Sequence, residues 1–389
     1  MSRRKLTMQN TYMVLTILLP VLSIYMSPIP RLDLGTACVL FFALWMILKK
    51  PNIRLYPLLS IVLLYTFFIT CPALFGNVEL YSSSSSIVLR LFRFIILLLL
   101  MIGIGFTNYY DERKFTNALS FFSVIVASYA ILQSIVFRLF GIKLRNLFLG
   151  ADRGGTVFTS SLGEYDSVYR PPSLFQEPSG VTYYLTPILC YVLFHQKETS
   201  YRDLFIATIV SIGILVSTSG QGLLVIALCW GLWIITRIRT MKFGGIIIVI
   251  ICAFLFFHYY DIGYTVSRII TQDKFNAVDA RSGGFEFVKG LDPEHLVFGN
   301  GYGNYVETIY FSSVAEIIFC TGLLGLLLIA IMYFSFFIQG KPYQKVLVLA
   351  SIVLMAGGGI YTATYLCLYL PLLIKQGNTP VNREIINSI

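Results

Sequence analysis

Charge is what this chain has least of. Only 12% of its residues are Asp, Glu, Lys or Arg. A soluble domain carries about 25%, so the sequence excludes a water-facing globule and requires lipid as solvent. Histidine is scarce, with three in 389 residues. His195 and His258 end apolar segments, and His295 sits in a polar stretch. None of the seven cysteines lies in a polar stretch and none has metal-ligand spacing, so they read as small core residues. The polar stretches hold no Asp-x-Asp motif for a divalent ion. No small-x-small cleavage site clearly follows Met1-Ser-Arg-Arg-Lys5, so the first apolar run reads as an uncleaved helix.

Hydrocarbon fills the rest. Hydrophobic residues make up 57% and the mean hydropathy is +0.77. Crossing a membrane core takes about 20 helical residues. Long apolar runs, rather than alternating segments of about 10 residues, favour helices over a barrel. The reading is an all-α polytopic membrane protein, a single domain over 1–389 with about twelve transmembrane helices. They fall at 11–27, 34–48, 55–75, 86–106, 115–140, 181–195, 203–217, 221–236, 243–258, 308–338, 344–358 and 360–374. The last two could be one long helix, giving eleven, but Gly357-Gly358-Gly359 breaks that run. The net charge of +10 would suggest nucleic acid for a soluble protein. Here many positives sit at helix ends, so no nucleic-acid partner is expected.

Short loops set orientation. With the N-terminus inside, the even-numbered links carry Lys49, Lys50, Arg54, Arg113, Lys114, Lys197, Arg202, Arg237, Arg239, Lys242, Lys341 and Lys345. The short odd-numbered links carry only Arg31. Lys375 and Arg383 place the C-terminus inside as well. Two long polar loops, at 141–180 and 259–308, then face the periplasm or cell exterior.

Each loop nevertheless holds several positives, including Arg170 and Arg281. They are either solvated partners of loop carboxylates or ligands of an anion, whose oxygens arginine holds through paired hydrogen bonds. Arg170-Pro-Pro-Ser-Leu-Phe-Gln-Glu177-Pro-Ser-Gly leads into a helix start, which presents free N–H groups; it reads equally as a proline-capped entry. Arg281-Ser-Gly-Gly-Phe-Glu286 and Phe298-Gly-Asn-Gly-Tyr302-Gly-Asn304 read as turn-prone segments of close approach. His295 is plain surface or a base near neutral pH. Arg90 and Arg93 lie one turn apart in an apolar helix, where arginines face a cavity or a partner. Tyr165, Tyr169, Tyr302 and Tyr305 could stack on sugar rings.

Together these segments resemble the Wzy-type O-antigen and polysaccharide polymerases, within the superfamily that includes the O-antigen ligases. Arg170-Pro-Pro-Ser-Leu-Phe-Gln-Glu177-Pro-Ser is similar to the family's R-x-x-S/G-x-F-x-E-P segment. Val216-Ser-Thr-Ser-Gly-Gln221-Gly-Leu-Leu is similar to its serine-rich turn, with Gln221 where arginine is frequent. Arg281 and Phe298-Gly-Asn-Gly-Tyr-Gly resemble the second loop, and Glu316–Gly325 the G-x-x-G entry of a late helix. The ligases carry a histidine shortly before that helix; Tyr302–Ser313 has none, which favours polymerase over ligase.

The resemblance implies a GT-C-like architecture in a bacterial inner membrane with both termini cytoplasmic. It implies an inverting, metal-independent and cofactor-free glycosyltransferase acting on undecaprenyl-diphosphate-linked oligosaccharide. A chain-length regulator and a flippase are the protein partners it implies. Arg170 and Arg281 would hold the diphosphate, with Arg93 and Arg90 as deeper support. Tyr302 and Asn304 would contribute to glycan binding. Glu177 is the candidate base and His295 the alternative. A flippase or other transporter is the competing reading, and the two long loops favour an enzyme.

Overall fold

A computed structural model describes residues 3–25, 27, 32–48, 56–75, 80–99, 109–144, 157–158, 168–237, 277–305, 311–358 and 363–374. The apolar runs fold as helices. In order they are α1 (Arg3–Leu22), α2 (Leu34–Ile47), α3 (Pro57–Leu74), α4 (Ser84–Leu98), α5 (Glu112–Phe140), α6 (Pro178–Phe194), α7 (Tyr201–Val216) and α8 (Gly220–Arg237). After these come α9 (Ala277–Lys289), α10 (Pro293–Phe298), α11 (Ser313–Gln339), α12 (Pro342–Gly357) and α13 (Ala363–Leu373). Every expected apolar segment overlaps one of these helices except 243–258, which lies outside the described residues. Among the described residues, four helices (α3, α5, α8 and α11) are long and apolar enough to cross a membrane.

The starts are written in the sequence. Asp33, Ser83, Asp111, Ser200 and Ser312 each accept a hydrogen bond from a backbone N–H in the first turn, meeting donors the helix leaves open. Pro57, Pro178 and Pro342 occupy first turns, where the missing N–H costs nothing. The outer surface is apolar: Phe41, Phe68 and Phe334 are each about two-thirds exposed. In water such a surface would seek a partner; in lipid it is already solvated.

α6 is the axis. Nearly all of its residues are buried, against α5, α7, α8, α12 and α13. Contacts at the helix ends define two poles. At one, Lys341 at the start of α12 pairs with Glu112 of α5 at 2.8 Å, and Lys114 donates to Gln9 of α1. Those residues belong to segments that charge counting assigns to one side. At the other pole, Asp33, Arg93, Glu177 and Gly303 gather.

The described parts of the two loops include regular structure. The expected turn at Arg281–Glu286 is instead part of α9. Its glycines serve packing: a Cβ on Gly284 would lie 2.9 Å from the Phe311 ring. The side chain of Arg281 lies outside the described part. In the first loop, Val157 pairs with Tyr169 and Phe158 with Val168 in a short antiparallel ladder.

Candidate functional site

A cavity of about 440 Å³ opens at the second pole, within the usual range for small-ligand sites. Arg90, Arg93, Glu177, Tyr183, Tyr302 and Glu316 are among the residues that line it. They come from α4, the start of α6, the glycine segment before α11, and α11 itself. Segments far apart in sequence therefore converge on one chamber.

Its floor depends on a broken helix. Gly322 interrupts α11 at φ +70°, ψ −178°. The break turns out the carbonyls of Phe319, Cys320 and Thr321, which an intact helix would use. Asn300 N–H and Gly301 N–H donate to Phe319 O and Cys320 O at 2.9 Å, and Tyr65 OH donates to Thr321 O at 2.8 Å. Non-helical backbone at membrane depth survives only when its polar groups are paired this way. Gly299, Gly301 and Gly303 all have positive φ, which glycine adopts without steric cost. Gly303 also lets the backbone reach Arg90, since a Cβ there would sit 3.0 Å from the arginine stem.

Arg90 is held on three sides. It donates to Gly303 O at 2.6 Å and Ser82 Oγ at 3.0 Å, and its guanidinium lies 4.4 Å from the Tyr305 ring centre. These partners are neutral, so they fix its direction and leave its charge in place. Glu316, half-buried in the same chamber, is close enough for its charge to interact with that of Arg90. Arg93 pairs with Asp33 at 2.9 Å and remains 38% exposed; Asp33 also caps α2 through Thr36. Arg93 is thus paired with Asp33, while Gly303, Ser82 and Tyr305 fix the direction of Arg90.

Glu177 stands at the N-cap of α6 without accepting a backbone N–H of the helix; its Oε2 accepts from the Ser179 hydroxyl in the first turn at 3.2 Å. It is exposed at the cavity. Tyr302 stacks on Phe94 with centroids 4.6 Å apart, and its N–H donates to Thr70.

The other expected site residues lie elsewhere. Arg170 does not line the chamber: its Nε donates to Thr218 Oγ1 at 2.8 Å, joining the Pro-Pro segment to the turn between α7 and α8. Ser173 locks that segment to α5: its hydroxyl donates to Val126 O and its backbone N–H donates to Gln133 Oε1. Asn304 is fully buried; its Oδ1 accepts from Tyr81 and Ser82 N–H, and its amide donates to Asn300 O. It shapes the loop. His295 stands on α10, bonded to Asp292 at 2.8 Å. Those bonds hold the Asp292 carboxyl below the usual carboxylate range. His295 does not line the chamber. Tyr169 packs on Phe137 at 4.6 Å, and burial pushes its hydroxyl up to about 12. Tyr165 is outside the described residues.

Gln221, at the position where the resemblance leads one to expect arginine, is buried. It accepts from Tyr183 OH at 2.9 Å and packs against Gly357 and Gly358. Its place is behind the cavity wall.

Sequence reasoning passed over Glu316 as a site residue. Its signal was present: it is the only charged residue in the apolar run 308–338. Ionisable residues in such runs are functional by default. No family model, curated protein or solved structure matches this chain.

Proposed function

We propose that this chain is a twelve-span bacterial inner-membrane glycosyltransferase of the Wzy-type polymerase kind, with both long loops on the periplasmic side. It joins lipid-linked repeat units into O-antigen or a related surface polysaccharide. One observation carries the reading: two arginines, two carboxylates and aromatic rings from four separate segments line one chamber at the pole where both loops emerge.

The chemistry fits that set. A sugar on a lipid diphosphate is already activated. Its anomeric C–O bond breaks and the diphosphate leaves with the electron pair. A bond forms from the anomeric carbon to an acceptor hydroxyl, whose proton passes to a base. Charge develops on the leaving oxygen, so fixed cations are most useful there. Arg90, pre-aimed by Gly303 and Ser82, meets that charge first. Arg93 supports it from the Asp33 side. Glu177, exposed at the chamber and held only by the Ser179 hydroxyl, takes the acceptor proton. Glu316 balances Arg90 and positions its guanidinium between turnovers. Tyr302 offers an edge for the glycan. Arg170 holds the Pro-Pro segment and the α7–α8 turn in register, so its effect on diphosphate is through the frame.

The test is genetic. Delete the gene in the bacterium that carries it, restore it, and run lipopolysaccharide on a gel. Collapse of the ladder to core bearing a single repeat unit supports polymerisation. Loss of the single-unit band as well assigns the defect to flipping or ligation and overturns the proposal.

A further inference from the structure

A second cavity, of about 580 Å³, lies at the opposite pole. It is bounded by the start of α5, the end of α6 and the start of α7. Two arginines line it, Arg113 and Arg202, together with Glu112, Asp203 and His195.

Each carboxylate is already answered. Glu112 accepts from Lys341 at 2.8 Å and from Tyr343 OH at 2.8 Å. Asp203 accepts from Ser200 Oγ at 2.7 Å, and His195 Nε2 stands 3.8 Å away. The guanidinium groups are not answered. Neither Arg113 nor Arg202 has an ion pair or hydrogen bond among the described residues, and both are exposed. Counting the Asp, Glu, Lys and Arg groups that line it and the lysine that pairs with one of them gives three positives (Arg113, Arg202, Lys341) against two negatives (Glu112, Asp203). The surplus is one positive charge.

Polar groups surround that surplus. The hydroxyl of Ser200 and the amides of Asn117 and Gln196 line the same space. The His195 ring lies flat on Tyr191, with centroids 4.5 Å apart and planes 13° from parallel, and closes one wall. A concave polar chamber with two forked donors and one uncompensated charge matches a tetrahedral oxyanion.

We propose that this cavity binds a phosphate group through Arg113 and Arg202, as a site separate from the first chamber. The phosphate is either the headgroup of an anionic membrane lipid or a free phosphate. The site lies about 25 Å from the first chamber, the length of α6, so it is independent of the polymerase reading.

The test uses the purified full chain in phosphatidylcholine nanodiscs. In one arm phosphatidylglycerol is added to the disc, and retained lipid is read by native mass spectrometry. In the other arm inorganic phosphate is titrated, and the unfolding midpoint is read. The variant is Arg113→Gln with Arg202→Gln. The control is Arg138→Gln with Lys143→Gln, at the far end of α5, with the same loss of charge. Losing charge-assisted bonds should weaken binding about tenfold or more. Phosphatidylglycerol retention that falls in the variant and survives in the control establishes a lipid site. A phosphate-dependent shift lost only in the variant establishes a free-phosphate site. Equal behaviour of variant and control in both arms overturns the proposal. Misfolding is excluded separately: the variant's midpoint without phosphate must match the control's, and Arg113→Lys with Arg202→Lys must restore binding in part.

Discussion

The two cavities sit at opposite ends of α6 and are built by different means. The first is framed by backbone: four glycines at positive φ, a helix broken at Gly322, and carbonyls turned toward Asn300, Gly301 and Arg90. The second is framed by side chains: Glu112 with Lys341 and Tyr343, Asp203 with Ser200 and His195. Backbone framing holds a charged group within narrow limits, because it has few rotamers to explore. Side-chain framing is looser and more tolerant. Chemistry on a sugar diphosphate calls for the first; holding a phosphate group needs only the second.

That contrast predicts unequal responses to substitution. The largest belongs to Gly322→Ala. A Cβ there would lie 2.1 Å from Val297 O, at a φ that L-residues avoid. The left-handed backbone costs about 1–3 kcal/mol and the overlap about as much again. We expect a large fall in monodisperse protein recovered in detergent, and near-normal recovery would break the contrast. Next is Arg90→Lys, which keeps the charge and loses the flat guanidinium that Nη1 anchors to Gly303 and Ser82 and that lies over Tyr305. Polymer formation should drop by about a hundredfold at normal protein levels. Smaller again is Asp33→Asn. The amide oxygen still caps α2, but the ion pair with part-exposed Arg93 is lost, at roughly 1 kcal/mol, read as the unfolding midpoint. The smallest effect is Glu112→Gln at the other pole. Its partner Lys341 is 59% exposed, so the loss should stay below about 1 kcal/mol. An effect there larger than that of Gly322→Ala would invert the comparison.

The helices were legible because apolar runs, Ser and Asp caps and first-turn prolines are local signals. The arginines of α4 were legible for the same reason, since a charge in an apolar run stands out. The broken helix at Gly322 was not. Its cause is the glycine loop docking from some twenty residues upstream, and Gly322 and Gly325 in an apolar run give no sign of that. The Arg281–Glu286 segment misled in the other direction, because Gly283-Gly284 looks like a turn and is in fact helical, with Gly284 making room for Phe311. In sequence Arg170 looked the principal anion ligand and Arg90 only its deeper support. The fold sends the first to Thr218 and the second into the chamber.

The measurement closest to the central claim is reconstitution. Purified protein is given undecaprenyl-diphosphate-linked repeat units as the only substrate, and product length is read by mass spectrometry alongside Arg90→Gln and Glu177→Gln. The account predicts lipid-linked products longer than one unit from the wild type, and single units only from either variant at matched folding. Products of equal length from all three, or none from a well-folded wild type, would contradict it.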